Sequence, residues 1–342
     1  MKAFWQKTRK TLIASVLTVT AGVTSLQAMA EQTYNWRFSN LYSRGTAYGE
    51  VYENFAKNIE TMSNGRIKIQ MLYAGEGVGE SGVLGAVKSG LVQMGAIFQP
   101  SHAGEIPFGV VEIGLPGTTA DATKLSALFH EQGWEPVLQK AYNQQGVEWV
   151  EAYFQPAVYV ITKKPVNSVE DFKGMKIRAP GAYGKFFREL GASPVALSWN
   201  EIYTSLATGV IDGAVGSNLI DHRDGNHVEV AKYMYRLPVA GAQAMPIIVN
   251  KKVWDSLPAD LQAIVKTAGA RHAEEQLDKS SVWVNKAVSE MEAKGLQWSP
   301  EPSDADKAAW HAAAEKVWAE YAQGDKVSAE LIKIMEGTDA AK

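Results

Sequence analysis

Tyr34, Trp36 and Phe38 alternate with Asn35, Arg37 and Ser39, the period of a strand with two unlike faces. Val51, Phe55, Ile59 and Met62 then recur at three- and four-residue steps, which mark one face of a helix, and Gly65 fits its C-terminal cap. Ile67, Ile69 and Met71 alternate again, so this part of the chain opens as β-α-β. Val92 to Phe98, Val147 to Phe154 and Val158 to Thr162 read as further strands. Asp121 caps a helix carrying Leu125, Leu128 and Phe129.

The next stretch packs strands and helices tightly. Ser168 with Asp171 and Ser198 with Glu201 have the spacing of capping boxes, and Gly174 and Gly209 stand where the two helices would end. A strand at Met175 to Ala179 is stopped by Pro180 and Gly181, and Val210, Ile211 and Asp212 read as a buried strand. Strand and helix alternating over very short connections is the pattern of an α/β fold. Tyr233 to Asn250 carries mixed strand and turn signals. Pro258 then opens a long helical pattern through Leu261, Ile264, Val265 and Ala268 toward Met291, with Gly269 as a kink point. Ser303 and Asp306 start a final helix carrying Trp310, Ala314 and Trp318.

A chain of 342 residues with 46% hydrophobic and 21% charged residues can bury a large core, and its length suggests two domains. Lys2, Lys7, Arg9 and Lys10 precede an apolar run from Leu12 to Leu26 and an Ala28-Met29-Ala30 site. That is the form of a secretory signal peptide over residues 1–30, with the mature chain starting at Glu31; the run is short for the rival reading, a membrane anchor. Without those four bases the formal charge moves from −3 to about −7. This argues against nucleic acid and leaves any bound anion to a local site. Cysteine is absent, which rules out thiolate zinc sites and cysteine nucleophiles.

Arg178 is the residue that asks for a partner. A guanidinium near the carboxyl end of a strand, beside a Pro-Gly turn, can reach the crevice where open α/β folds hold ligands, and its planar fork matches a carboxylate. The plain alternative is a structural ion pair with Asp212. Phe98, Gln99 and Ser101 end their own strand at the same kind of edge, as crevice residues or as ordinary loop. Gly77 to Gly82 matches G-x-G-x-x-G, but no acid closes the next strand to hold a ribose and Glu80 sits inside the supposed phosphate loop. A tight turn at the ligand cleft is the better reading of it. His222 and His227 are five apart and share no helix face, and there is no H-E-x-x-H, G-x-S-x-G or Walker lysine loop.

The run KIRAP, the LGA and SPV turn, and WNEIYTSLATGVIDGA closely resemble the DctP-type solute-binding proteins of tripartite ATP-independent periplasmic (TRAP) transporters, and the likeness extends along most of the chain. The resemblance implies a two-domain α/β periplasmic binding fold of type II-like form, with hinge strands and a long bracing helix. It divides the chain into 31–155 plus about 246–285, and 156–245 plus about 286–342, with the ligand cleft between. The family's arginine falls on Arg178, and the glutamine that helps some members hold a 2-oxo acid and a metal falls on Gln155. The second arginine of sialic-acid-type members falls on Val158 and is missing. Where members continue with E-N-P or E-W this chain has Ala214-Val215-Gly216-Ser217-Asn218, so no metal is expected, and Asn218 stands displaced in the asparagine's place. Phe98, Phe154, Trp199 and Tyr203 are candidate apolar walls.

The expected function is capture of a small organic acid by domain closure outside the cytoplasm and delivery to a membrane permease driven by an ion gradient, without catalysis or cofactor. The rivals are a nicotinamide-dependent oxidoreductase and a periplasmic sensor that shows its closed form to a membrane kinase.

Overall fold

The computed structural model describes residues 32–338, so the leader read at residues 1–30 lies outside the described residues. From the N-terminal side the elements run β1 (Tyr34–Ser39), α1 (Ala47–Met62), β2 (Ile67–Leu72), α2 (Val83–Ser89), β3 (Met94–Ala96), α3 (Gly109–Glu112), α4 (Ala122–His130), α5 (Trp134–Gln144) and β4 (Val147–Gln155). The chain then passes through β5 (Val158–Thr162), β6 (Lys176–Arg178), α6 (Gly181–Glu189), β7 (Ser193–Val195), α7 (Ile202–Thr208), β8 (Gly213–Asn218), α8 (Leu219–Asp224) and β9 (Tyr233–Met234). It returns as β10 (Gln243–Asn250) and α9 (Lys251–Asp255), runs along α10 (Ala259–Ala293) to β11 (Gln297–Trp298), and continues into α11 (Asp304–Ala322) and α12 (Lys326–Glu336).

Two sheets result, in the orders β2-β1-β3-β10-β4 and β11-β9-β5-β8-β6-β7. β1 is parallel to β2 and β3, while β10 is antiparallel to β3 and β4. In the second sheet β6 is parallel to β7 and β8, and β5 runs antiparallel to β8 and β9. The first sheet is covered on both faces at β4 and β10, where every residue is buried.

Local signals placed most boundaries. The boxes Ser168/Asp171, Ser198/Glu201 and Ser303/Asp306 all form, Asp121 caps α4, and Gly209 ends α7 in the left-handed conformation. Two expectations change. Residues 210–212 are a connection and the strand begins at Gly213, where an added Cβ would meet the Ile161 carbonyl at 2.8 Å and the Ile177 side chain at 2.9 Å. Nor does Gly269 break the long helix, which runs through its 35 residues. The missing side chain lets α10 lie against β4, since a Cβ there would sit 2.8 Å from that of Glu151.

Three segments knit the crossing between the sheets. Val158 and Val239 exchange backbone bonds with the 158 and 240 positions (Val158 N to Ala240 O, 3.0 Å; Val239 N to Val158 O, 2.7 Å), and Ala242 N donates to Thr119 O at 2.9 Å. Tryptophan indoles pin the last helices to this region: Trp310 donates to Pro238 O at 3.0 Å and Trp318 to Pro116 O at 2.7 Å. α11 packs on α6, whereas α12 packs on α5 and α3, where Trp134 donates to Leu331 O at 2.9 Å.

Glu112 is buried completely beneath the first sheet, its carboxyl accepting from Tyr142 Oη at 2.5 Å and Trp149 Nε1 at 3.1 Å. Burial pushes its pKa up to about 7 from an unfolded value near 4.5. The folded state therefore binds the extra proton between those values, and its contribution is fully present below about pH 4.5 and lost as pH rises through about 7. Urea unfolding at pH 5 and pH 8 tests this. The wild type should lose stability on the alkaline side, of which about 3 kcal/mol belongs to Glu112, and Glu112→Gln should lose correspondingly less. Equal losses in the two proteins would sink the assignment.

Candidate functional site

β6 is three residues long because Pro180 and Gly181 follow it, and Gly181 turns the chain into α6 with φ of +53°. That leaves Arg178 at the carboxyl end of a strand flanked by β7 and β8. Its side chain is held from both sides: Nε donates to Leu197 O at 3.1 Å and Nη1 to Val215 O at 2.8 Å. Among the described residues no carboxylate lies within ion-pair distance of it. The proposed mate Asp212 instead accepts from the backbone N of Lys176 at 2.9 Å.

Arg178 is only 6% exposed. Burial lowers its pKa to about 10, with the negative charge of Glu80 acting in the opposite direction, so it stays a cation at neutral pH. Nη2 and the second N–H of Nη1 are left to an anion. A desolvated cation without a counter-charge is costly, and an incoming carboxylate completes it.

Gln155 and Asn218, far apart in sequence, come together at the crossing. Gln155 Nε2 donates to the hydroxyls of Tyr42 and Tyr153, and Asn218 Nδ2 lies 3.4 Å from Gln155 Oε1. Asn218 also caps α8, accepting from the backbone of Ile220 and Asp221, and donates to the Asp221 carboxylate at 2.9 Å. Burial lifts that carboxyl to about 7, helped by Asp224. The two amides thus bond to each other and to their own neighbours. Sequence reasoning missed Tyr42 and Asp221; Tyr42 follows the carboxyl end of β1, so the edge rule that selected Phe98 would have selected it too.

Phe98 and Pro100 on the first sheet's side, with Val110 and Ile113, face Pro180 and Tyr183 on the second across a narrow cleft. A larger groove lies along Asn35, Arg37, Lys68 and Gln70 on the outer side of β1 and β2, and it offers no buried charge. Trp199 is half-buried with its ring 5.0 Å from that of His227. Two expected walls belong elsewhere. Phe154 points to the opposite face of β4 from Tyr153 and Gln155, as strand alternation requires, and packs on Phe129 at 5.3 Å. Tyr203 is 38% exposed and donates to Glu229 at 3.2 Å. Gln99 is fully buried and donates to Ala244 O, so it braces the fold.

The histidines that share no helix face meet all the same. α8 ends at Asp224, Asn226 turns the chain back with φ of +53°, and His222 Nδ1 comes 3.0 Å from His227 Nδ1. Burial drives their pKa values down to about 4 and about 3, with Arg178 adding to the effect. They are a neutral, buried pair.

For a cation the donor set is poor. The stretch Ala214 to Asn218, where the resemblance puts a carboxylate, holds none, and the oxygens of Gln155 and Asp221 already accept from Asn218. For a dinucleotide, the glycine loop leads to a single 3₁₀ turn at Glu80–Gly82 and to α2 of 7 residues, and β3 leads to Phe98 and Gln99 with no acid for a ribose.

Residues 38–325 match the DctP family, described as bacterial extracellular solute-binding protein, family 7. The chain is 30% identical over 270 residues to a monocarboxylate 2-oxoacid-binding periplasmic protein of Nostoc, covering 78% of this chain and 73% of that one. It is 26% identical to the C4-dicarboxylate-binding periplasmic protein of Rhodobacter capsulatus, over 92% and 94% of the two chains. Among solved structures, a TRAP periplasmic solute-binding protein of Pseudoalteromonas atlantica with bound sodium and pyruvate superposes with a TM-score of 0.81 at 26% identity, over 90% of this chain and 94% of that one. Among the described residues no helix is long and apolar enough to cross a membrane.

Proposed function

The chain belongs to the DctP family of bacterial extracellular solute-binding proteins, and from that premise we propose that it captures a small monocarboxylic acid with Arg178 and delivers it to a TRAP permease for uptake driven by an ion gradient. The observation that carries this is the buried guanidinium of Arg178, fixed by Leu197 O and Val215 O and lacking any carboxylate partner among the described residues. Two fixed donors aim the fork, so a carboxylate meets it in one pose.

The ligand class follows from what surrounds that charge. Val158 replaces the second arginine that a doubly clamped acid would use, and Phe98, Ile113 and Pro180 give the cleft apolar walls. The named function of the Nostoc relative supports a monocarboxylate. Because the cleft is lined from both sheets, contacts to the acid favour the closed arrangement over an open one, and the permease reads that state. Residues 1–30 direct export to the periplasm, and the protein performs no chemistry on its ligand.

A thermal-shift screen of residues 31–342 against organic acids tests this reading. A ligand at about 100 times its Kd adds about 2.7 kcal/mol of stability, a rise of roughly 5 °C or more. One monocarboxylate should stabilise the wild type in this way. A shift given by a nicotinamide cofactor and by no acid would replace the reading with the oxidoreductase one.

A further inference from the structure

β4 ends at Gln155 and β10 begins at Gln243, and the two glutamines are direct cross-strand partners at one end of the first sheet. Directly opposite residues of an antiparallel pair share a face, so both amides leave the sheet on the same side. Each one reaches across to the second sheet's half of the molecule. Gln155 Oε1 meets Asn218 Nδ2 at 3.4 Å, a long contact. Gln243 Nε2 makes the tighter one, donating at 2.8 Å to the hydroxyl of Tyr183 on α6, the helix that packs on β6 and β7. That hydroxyl in turn faces Gly114 O at 3.4 Å, just past α3 on the first sheet's side. Both Tyr183 and Gln243 are buried, and Tyr183 also belongs to the wall of the narrow cleft that stands opposite Phe98 and Pro100. Its ring thus closes the cleft while its hydroxyl is fastened to the other half.

We propose that the hydrogen bond between Tyr183 and Gln243 is a latch on the closed arrangement, and that Tyr183 is a positioning residue for ligand capture: it sets affinity through the balance of open and closed forms, without touching the acid. The inference rests on the closure reading given above and names the residues that hold it. Swinging α6 away from β10 separates the hydroxyl from both of its partners on the first sheet's side. It also lets water into the cleft between Tyr183 and the Phe98 and Pro100 wall. A buried neutral hydrogen bond is worth about a factor of five in such a balance. The latch is made by the chain's own residues, so it biases the protein before an acid arrives, and the acid adds to that bias.

Distances between two spin labels read that balance. Ala103 and Arg188 are exposed, one beyond the Pro100 wall and the other on α6, and the chain has no cysteine of its own, so Ala103→Cys with Arg188→Cys takes two labels and no more. In this labelled background Tyr183→Phe, Gln243→Leu and their combination are compared without ligand, each confirmed to unfold cooperatively in urea. With the latch intact the shorter distance should dominate. Each single variant should lower the ratio of short to long distances about fivefold. The combination should match the singles, because two residues that make one bond do not add. Pyruvate, lactate and butanoate are then added in turn, and at least one should return Tyr183→Phe to the shorter distance. A Tyr183→Phe distribution that matches the latched protein overturns the proposal, as do single effects that add in the combined variant. A Tyr183→Phe protein that opens and is recovered by none of the three acids supports the latch and overturns closure on a monocarboxylate instead, so the two failures are distinct.

Discussion

Arg178→Ala should lower the affinity for the acid by about 2–5 kcal/mol, a factor of roughly 30 to several thousand in Kd. The loss has two sources. The ligand carboxylate forfeits a charge-assisted bidentate partner, and it is left desolvated in the cleft that Phe98 and Pro180 close. Arg178→Lys should fall nearly as far, because an ammonium on a flexible stem cannot donate to Leu197 O, Val215 O and the ligand in one plane. The alanine variant also strands those two carbonyls, each at about 1–3 kcal/mol where water cannot reach. Urea unfolding of the free protein separates that cost from binding. Calorimetry with the stabilising acid decides the matter: a Kd within threefold of wild type in Arg178→Ala would move the site elsewhere.

Gly241→Ala should destabilise the protein by about 3–5 kcal/mol, or prevent soluble expression. A Cβ at position 241 would sit 1.4 Å from Thr119 O and 2.5 Å from Thr118 O, both backbone atoms. No rotamer relieves that clash, so the segments must part. Parting them breaks the bonds from Ala242 N to Thr119 O and from Gly241 N to Thr118 Oγ1. These segments lie at the crossing between the two sheets, so the damage falls on the crossing itself. Gly79→Ala is the matched control, with nothing within 4 Å of its added carbon. Denaturant midpoints of the three proteins give the answer. Gly241→Ala unfolding with the wild type would show that the crossing has slack the packing does not suggest.

Residues whose partners lie within a few positions announced themselves. Ser198 with Glu201, Ser303 with Asp306 and Gly209 each form the cap that their spacing specifies, since an N-cap and its third residue close a loop within one turn. Tyr34 to Ser39 took the strand that its alternation demanded. The walls of the cleft were less legible. Phe98 and Phe154 are both aromatic residues near strand ends, and composition cannot say which face either one takes. One step along β4 separates Tyr153, which reaches Tyr42, from Phe154, which reaches Phe129. The histidine pair stayed hidden for a similar reason: a five-residue spacing meets only if the helix ends between its members, and Asn226 ends that connection with a left-handed turn.

The sequence by itself determined the α/β class, the caps and turns, the family, and Arg178 as the cation at a strand's carboxyl end, because each is written in contacts between near neighbours or in a long motif. Tertiary structure alone decided that no acid among the described residues pairs with Arg178, that Gln155 meets Tyr42 and Tyr153 beside Asn218, and that Phe154 turns away from them. Those facts depend on which of two sheets a side chain turns to, and burial, strand register and the close crossing at Gly241 fix that only when the whole chain has folded.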